Sequence, residues 1–261
     1  MKTSKKRIED LRNHGYELDF TNTFNVAFEA YKKMALIAGA VIIIIALIGA
    51  VLFGGAAISA FGLSQISESM IDFKVQNLSS AWVALYVVGM AAFSGVSAVI
   101  TAGLIKMAHN AYTTGETSMG TAFQYFKDSH FGDIFIAGFV IALGTGGVST
   151  ALELSGVPIV GGIIGFIISV FAVMSIPLII FADLKAIDAI TTSFSLVSKN
   201  ALLILALIII SIIIACVGFI ALCIGIFFTL PFVYAMYYSI YVNAVGIEDD
   251  TEFNDIGTTF E

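Results

Sequence analysis

The chain holds three histidines, His14, His109 and His130, and two cysteines, Cys216 and Cys223. A transition-metal site needs three or four such ligands converging on one point. His109 and His130 flank one loop together with Lys106, Lys127 and Asp133, but neither has a ligand at helical i, i+4 spacing. No metal site is expected there, and contact with lipid headgroups is the better use for Lys106, His109 and Lys127. The cysteines lie seven apart in an apolar run. Seven helical residues rise roughly 10 Å, too far for a disulfide, so both read as small apolar fillers. The tail Asp249–Gly257 is acidic, but a calcium loop started at Asp250 would place Asp255 where the loop requires glycine. It reads as a solvated acidic tail. Asn77-Leu78-Ser79 has the form of a glycosylation acceptor, which matters only in a eukaryotic secretory path. No nucleophile stands beside a base, so no catalytic residue and no cofactor is expected.

The elements that would position these groups are apolar. Of the 261 residues 59% are hydrophobic and 12% charged, against roughly a quarter charged in a soluble domain. That composition excludes a soluble globular domain and a disordered chain. An outer-membrane barrel is excluded too, because its strands would alternate apolar and polar residues. The reading is an all-α, polytopic membrane helix bundle. A spanning helix needs about 20 apolar residues. Uncharged runs occupy Met34–Phe61, Ala81–Ile105, Ile134–Leu152, Leu154–Ala182 and Asn200–Ile247. The last is too long for one span. Gly218, Cys223 and Gly225 mark a split near 222–225, giving spans at about 201–221 and 226–245 and six in all. The 33 residues before the first run are too many for a cleavable signal, so that run is expected to be retained as a span. No charge falls mid-span, which speaks against a proton relay. Lys106, Asp133 and Asp183 sit at inner span ends, and Glu153 sits at an outer turn.

Charge fixes the expected orientation. Residues 1–33 hold Lys2, Lys5, Lys6, Arg7, Arg12, Lys32 and Lys33, while 246–261 hold six acids and no base. With six spans and the N-terminus inside, eleven of the twelve Lys and Arg are cytoplasmic, and only Lys74 lies outside. The positive-inside rule therefore places both termini in the cytoplasm. Three parts follow: a basic tail with an amphipathic helix (1–33), a six-span membrane domain (34–245) and an acidic cytoplasmic tail (246–261). No uniformly basic surface exists for nucleic acid.

Three juxtamembrane segments look alike: Ala27-Phe28-Glu29-Ala30-Tyr31-Lys32-Lys33, Ala122-Phe123-Gln124-Tyr125-Phe126-Lys127 and Ser193-Phe194-Ser195-Leu196-Val197-Ser198-Lys199. Each has a small residue, Phe, two variable residues, an apolar residue and then a base within two positions, and each precedes a hydrophobic hairpin. Phe20, Phe24, Ala27, Phe28 and Tyr31 share one helical face. Three units of interfacial helix plus hairpin are expected, with Lys32, Lys33, Lys106, His109, Lys127 and Lys199 as headgroup candidates. Phe28, Phe123 and Phe194 are the matched aromatic positions. Gly161 and Gly165 form a G-x-x-x-G, and Ala91, Gly95 and Gly103 a small face; both serve packing within one bundle, or dimerisation. Pro158 suits a first helical turn, and Pro177 and Pro231 are expected to kink their spans.

His14-Gly15-Tyr16-Glu17-Leu18-Asp19-Phe20, then Ala186-Ile187-Asp188-Ala189 through Ser193-Phe194 and Lys199-Asn200, with Gly225 and Thr229-Leu230-Pro231 in the closing hairpin, resemble a family of uncharacterised six-span inner-membrane proteins of Bacteroidetes-type bacteria. They are similar more loosely to the membrane domain attached to some glycerophosphodiester phosphodiesterases. Some members of the family carry a beta-carotene monooxygenase label. Carotenoid cleavage oxygenases typically hold iron with four histidines, and this chain has three, scattered, so the label is not supported. The resemblance implies no catalytic residues. The expected function is non-enzymatic: a structural, lipid-interacting or partner-binding protein of the bacterial inner membrane, with membrane lipids and a homo-oligomeric or other membrane partner. The alternative is a transporter or channel for a neutral or lipidic solute, its path lined by Thr145, Ser149, Thr150, Ser169 and Ser175. A polar cavity at mid-depth would favour the transporter, and a close-packed interior the structural reading.

Overall fold

A computed structural model describes residues 2–55, 79–220 and 225–247. Lys74, the Asn77-Leu78-Ser79 motif up to Ser79, Cys223 and the acidic residues from Glu248 onward lie outside the described residues. Among the described residues all regular structure is helical. A short N-terminal helix, α1 (Lys2–His14), precedes α2 (Phe20–Gly49), which continues as a π-turn over Ala50–Gly54. Helix α3 is Ser80–Thr113. A short α4 (Met119–Phe123) and a 3-10 turn (Gln124–Phe126) lead to α5 (Phe131–Leu154). The fourth span is divided into α6 (Pro158–Phe171) and α7 (Ser175–Ala182). Helix α8 (Ala186–Lys199) precedes α9 (Ala201–Ile220). The sixth span is α10 (Gly225–Thr229) and α11 (Pro231–Ala244).

Six helical stretches are long and apolar enough to cross a membrane: Phe20–Gly49, Ser80–Thr113, Phe131–Leu154, Pro158–Ala182, Ala201–Phe219 and Gly225–Ala244. The fold is an all-α bundle of a multi-pass membrane protein. The split of the long C-terminal run falls where the glycines placed it. A Cβ on Gly218 would lie 2.6 Å from the Ile226 Cα, and Thr229 Oγ1 donates to the Ala215 carbonyl at 2.8 Å, so α9 and α10 form a tight antiparallel pair.

Both internal prolines interrupt their spans. Proline has no N–H for the i−4 carbonyl and its ring crowds that carbonyl. Before Pro177 the chain turns tightly over Ala172–Met174, with Ser175 N–H bonded to the Ala172 carbonyl at 2.9 Å. Before Pro231 the break falls at Leu230. Pro158 opens α6 in the first turn, where the missing N–H costs nothing.

The three juxtamembrane segments take three forms. In the first, no helix breaker stands between Phe20 and Met34, so α2 runs through Lys32 and Lys33 as one helix with the span. The amphipathic stretch is thus not a separate helix lying beside the span. In the second, Asp128 accepts the His130 N–H at 2.8 Å and turns the chain before α5. In the third, Asn200 ends α8, and its side chain donates to the Tyr16 carbonyl at 2.8 Å.

The core lies where α1, the start of α2, the end of α3, α4, α7, α8 and α11 meet, called here the basic end. Tyr238, Tyr241, Phe232, Met34, Met107, Leu178 and Leu196 are fully buried there. Residues 79–90 at the far end include no buried residue. Helix α1 docks through buried Ile8 and half-buried Leu11, one turn apart. It ends at Gly15, whose left-handed φ of +80° lets its N–H close on the Leu11 carbonyl. Asp19 then caps α2 by accepting from the Asn22 N–H.

Small residues set the interhelical distances. Gly161 and Gly165 face Ser149, with built Cβ positions 3.0 Å from Ser149 Cα and 3.0 Å from Ser149 Oγ respectively. The G-x-x-x-G therefore seats α6 on α5 within one chain. Gly95 faces the Phe135 ring, Gly138 faces Ala98, and Gly103 faces the Ala122 backbone.

Candidate functional site

The groups with chemistry gather at the basic end. The polar feature with the most contacts is a clamp between the α4–α5 and α7–α8 loops. His130 Nδ1 meets Asp128 Oδ1, and His130 Nε2 lies 3.1 Å from Asp183 Oδ1. Asp183 ends α7 with φ of +52°, a left-handed conformation that Asp adopts more readily than most residues. Lys185 Nζ donates to Asp133 Oδ2 at 3.0 Å, and the Ala186 N–H donates to Asp133 Oδ1 at 3.1 Å. Asp133 therefore caps α8 from another helix, in place of Lys185, whose side chain makes no cap. Both His130 nitrogens are taken by carboxylates. Among the described residues no three His, Cys, Asp or Glu side chains converge to hold a metal ion.

This clamp is sensitive to pH at two ends of the scale. The His130 backbone N–H holds the Asp128 carboxyl below its usual value, against a smaller opposing effect of burial. The Asp133 carboxylate, by hydrogen bond and charge, raises Lys185 above the usual lysine value. A depressed carboxyl stabilises the fold above the unfolded value of about 3.9 and loses that effect as pH falls through the lower folded value. A raised lysine stabilises below about 10.4 and loses that effect as pH rises through the higher folded value. Thermal melts in detergent are expected to be flat between these limits and to fall outside both. In Lys185→Gln the alkaline fall attributable to this pair should disappear. An alkaline limb unchanged in that variant would mean the pair contributes nothing.

The six headgroup candidates do not share one environment. Lys32 bonds to Glu29 at 2.6 Å, with its ammonium 5.3 Å from the centre of the Phe28 ring. Lys33, Lys127 and Lys199 are exposed and make no ion pair among the described residues. Lys106 is half-buried, with Nζ 5.4 Å from the Phe181 ring centre. His109 differs from the expectation: it is 6% exposed, packed 5.3 Å from Phe181 and 5.6 Å from Tyr238 between ring centres. Its helix turns it into the aromatic cluster, because α3 is buried on almost every side between Ala102 and His109, Lys106 excepted.

The matched phenylalanines face outward or lie half-buried. Phe28 and Phe123 are 43% and 41% exposed, and Phe194 is half-buried against Phe171. The inward position of each segment is the small residue before it: Ala27, Ala122 and Ser193 are all 0% exposed. On α2 the buried stripe is Val26, Ala27, Ala30 and Met34, while Phe24 and Tyr31 flank Phe232 at 5.7 and 5.5 Å. The lone hydroxyls of the conceivable solute path are mostly occupied. Thr145 Oγ1 donates to the Ile141 carbonyl, Ser149 Oγ to Gly161, and Ser169 Oγ to Gly165. Ser175 Oγ is buried without a partner.

The Gly15–Glu17 segment, part of the motif that carries the resemblance, also holds a polar site of its own. The Tyr16 hydroxyl donates to the Leu196 carbonyl at 3.2 Å, and burial pushes its phenol up to about 12. A polar hollow of about 540 Å³ is lined by His14, Gly15, Tyr16, Glu17 and Lys199. The signal available in sequence was the helix-stop Gly15 beside a lone Tyr, but its partner lies 180 residues away.

The fold and rim define a multi-pass helical membrane protein with its chemistry concentrated at one end of the bundle. Comparison with family models, with curated proteins and with solved structures finds no match.

Proposed function

We propose that the chain is a non-enzymatic, lipid-interacting protein of the bacterial inner membrane, with both termini cytoplasmic and the basic end at the inner headgroups. The observation that carries this is that Lys33, Lys127 and Lys199 are exposed and without ion pairs among the described residues, and that Phe28 and Phe123 of the same juxtamembrane segments face outward. A base following an outward-facing aromatic in a juxtamembrane segment fits the headgroup level, where each base attracts anionic lipid by about 1 kcal/mol. The bonded hydroxyls of α5 and α6 favour a packed bundle over a solute path. The direct test is lipid retention by native mass spectrometry of the full chain. Phosphatidylglycerol should be held in preference to phosphatidylcholine, and Lys33→Gln, Lys127→Gln and Lys199→Gln together should remove that preference. Equal retention in the wild type and the triple variant overturns the lipid reading.

Orientation has its own test. In a Cys216→Ser, Cys223→Ser background, Ser155→Cys in the exposed α5–α6 turn is expected to react with an impermeant outside thiol reagent, and Asn13→Cys is not. The reverse pattern would invert the bundle in the membrane.

A further inference from the structure

The ends of α6 and α9 leave a groove of about 270 Å³ between them, lined by Ile167, Val170, Phe171, Ala201, Leu202 and Leu205. All six side chains are apolar, and Leu202 is 81% exposed, so the groove opens sideways from the bundle. At its mouth the chain changes character within two residues. Lys199 lines the polar hollow that also holds Glu17. Asn200, between Lys199 and the first groove residue, donates to the Tyr16 carbonyl, and Tyr16 donates back to the Leu196 carbonyl. The wall of the hollow is thereby fixed to the mouth of the groove.

The charges in the hollow are separated rather than neutralised. Lys199 and Glu17 are both exposed, and neither makes an ion pair with the other or with any described residue. Of the other ionisable groups of the hollow, His14 is bonded to Asp10 at 2.8 Å and the Tyr16 hydroxyl to the Leu196 carbonyl. One hollow therefore offers a cation and an anion, both open, above an apolar slot. The geometry points to a site for a phosphatidylethanolamine-type phospholipid, with an acyl chain in the α6–α9 groove, the phosphate at Lys199 and the primary ammonium at Glu17. Phosphatidylglycerol offers no cation to Glu17. Phosphatidylcholine offers a cation without N–H donors, so it makes no hydrogen bond to the carboxylate. This site rests on the lipid-binding reading above, but it predicts a different headgroup order from the exposed lysines of the rim.

The test is native mass spectrometry of the full chain in nonionic detergent with phosphatidylethanolamine, phosphatidylglycerol and phosphatidylcholine of matched palmitoyl-oleoyl chains. The wild type should hold one phosphatidylethanolamine more firmly than phosphatidylcholine. Glu17→Gln should lower phosphatidylethanolamine occupancy by up to about fivefold, the upper end for one exposed charge pair, and leave phosphatidylglycerol unchanged. Lys199→Gln should lower phosphatidylethanolamine as well. Leu202→Trp fills the slot from an exposed position, so the melt should be unaltered while the bound phosphatidylethanolamine is lost. Unchanged phosphatidylethanolamine occupancy in Glu17→Gln or in Leu202→Trp overturns the site. If that happens while the triple lysine variant still loses phosphatidylglycerol, this site falls and the rim reading stands. If the triple variant keeps phosphatidylglycerol and Glu17→Gln still loses phosphatidylethanolamine, the rim reading falls and the site stands.

Discussion

Gly103→Ala is expected to lower the thermal midpoint of the detergent-solubilised protein more than any other single-methyl change. A Cβ built at Gly103 lies 2.1 Å from the Ala122 carbonyl oxygen, 2.5 Å from its carbon and 2.7 Å from its Cα. All three are backbone atoms, so no side chain can rotate aside, and α4 must move off α3. Overpacking of this kind typically costs about 1–3 kcal/mol and occasionally more. Alanine is a better helix former than glycine by about 1 kcal/mol, which offsets part of the loss but not its sign. Gly144→Ala is the matched control. It sits inside α5, and a Cβ there meets nothing within 4 Å, so the helix-propensity gain should appear alone and the midpoint should hold or rise. A Gly103→Ala protein melting no lower than Gly144→Ala would mean that α4 does not pack on α3 as described.

The same contact explains what was legible in the sequence. Hydrophobic runs, a glycine-marked split and two prolines are local signals, and the six spans, the separation of α9 from α10 and the breaks before Pro177 and Pro231 follow from them. The likeness of the three juxtamembrane segments was also visible, but not which of its positions faces inward. Phenylalanine is the residue a hydrophobic pattern assigns to the core. In a membrane protein lipid is as apolar as the interior, so an exposed Phe28 or Phe123 is not penalised, and close approach selects the small neighbour instead. Ala27, Ala122 and Ser193 are buried for that reason. His109 is the mirror case: a polar ring reads as outward-facing, and its neighbours on α3 carry it inward. The clamp between Asp133 and Lys185 spans 52 residues, and the tie between Tyr16 and Asn200 spans 184. Neither leaves a periodic trace. The amphipathic α1 was hidden because only Ile8 and Leu11 mark its buried side among many charges.

The third segment shows why its small residue is serine rather than alanine, and Ser193→Ala should expose the reason. The turn before Pro177 opens the helical ladder inside the fourth span. Ser193 on α8 reaches into that gap: its hydroxyl donates to the Phe171 carbonyl at 2.7 Å and accepts the Met174 N–H at 3.1 Å. One side chain thus satisfies a backbone donor and a backbone acceptor that the turn would leave unmade. Ser193 and Met174 are both 0% exposed, so water does not replace the lost bonds. Leaving a buried donor or acceptor unsatisfied costs about 1–3 kcal/mol each, and Ser193→Ala strands both while adding no bulk. The expected result is a clear drop in thermal midpoint together with faster hydrogen exchange at the Met174 amide. Ser198→Ala controls for loss of a hydroxyl on the same helix, because Ser198 is exposed and bonds only to the Ser195 carbonyl of α8 itself. It should leave both readouts near wild type. If Ser193→Ala lowers the midpoint without accelerating exchange at Met174, the serine stabilises α8 by packing and the hydroxyl bridge is not what holds the broken span. If neither readout moves, the break closes without it, and the serine in the third segment is merely a small residue like Ala27 and Ala122.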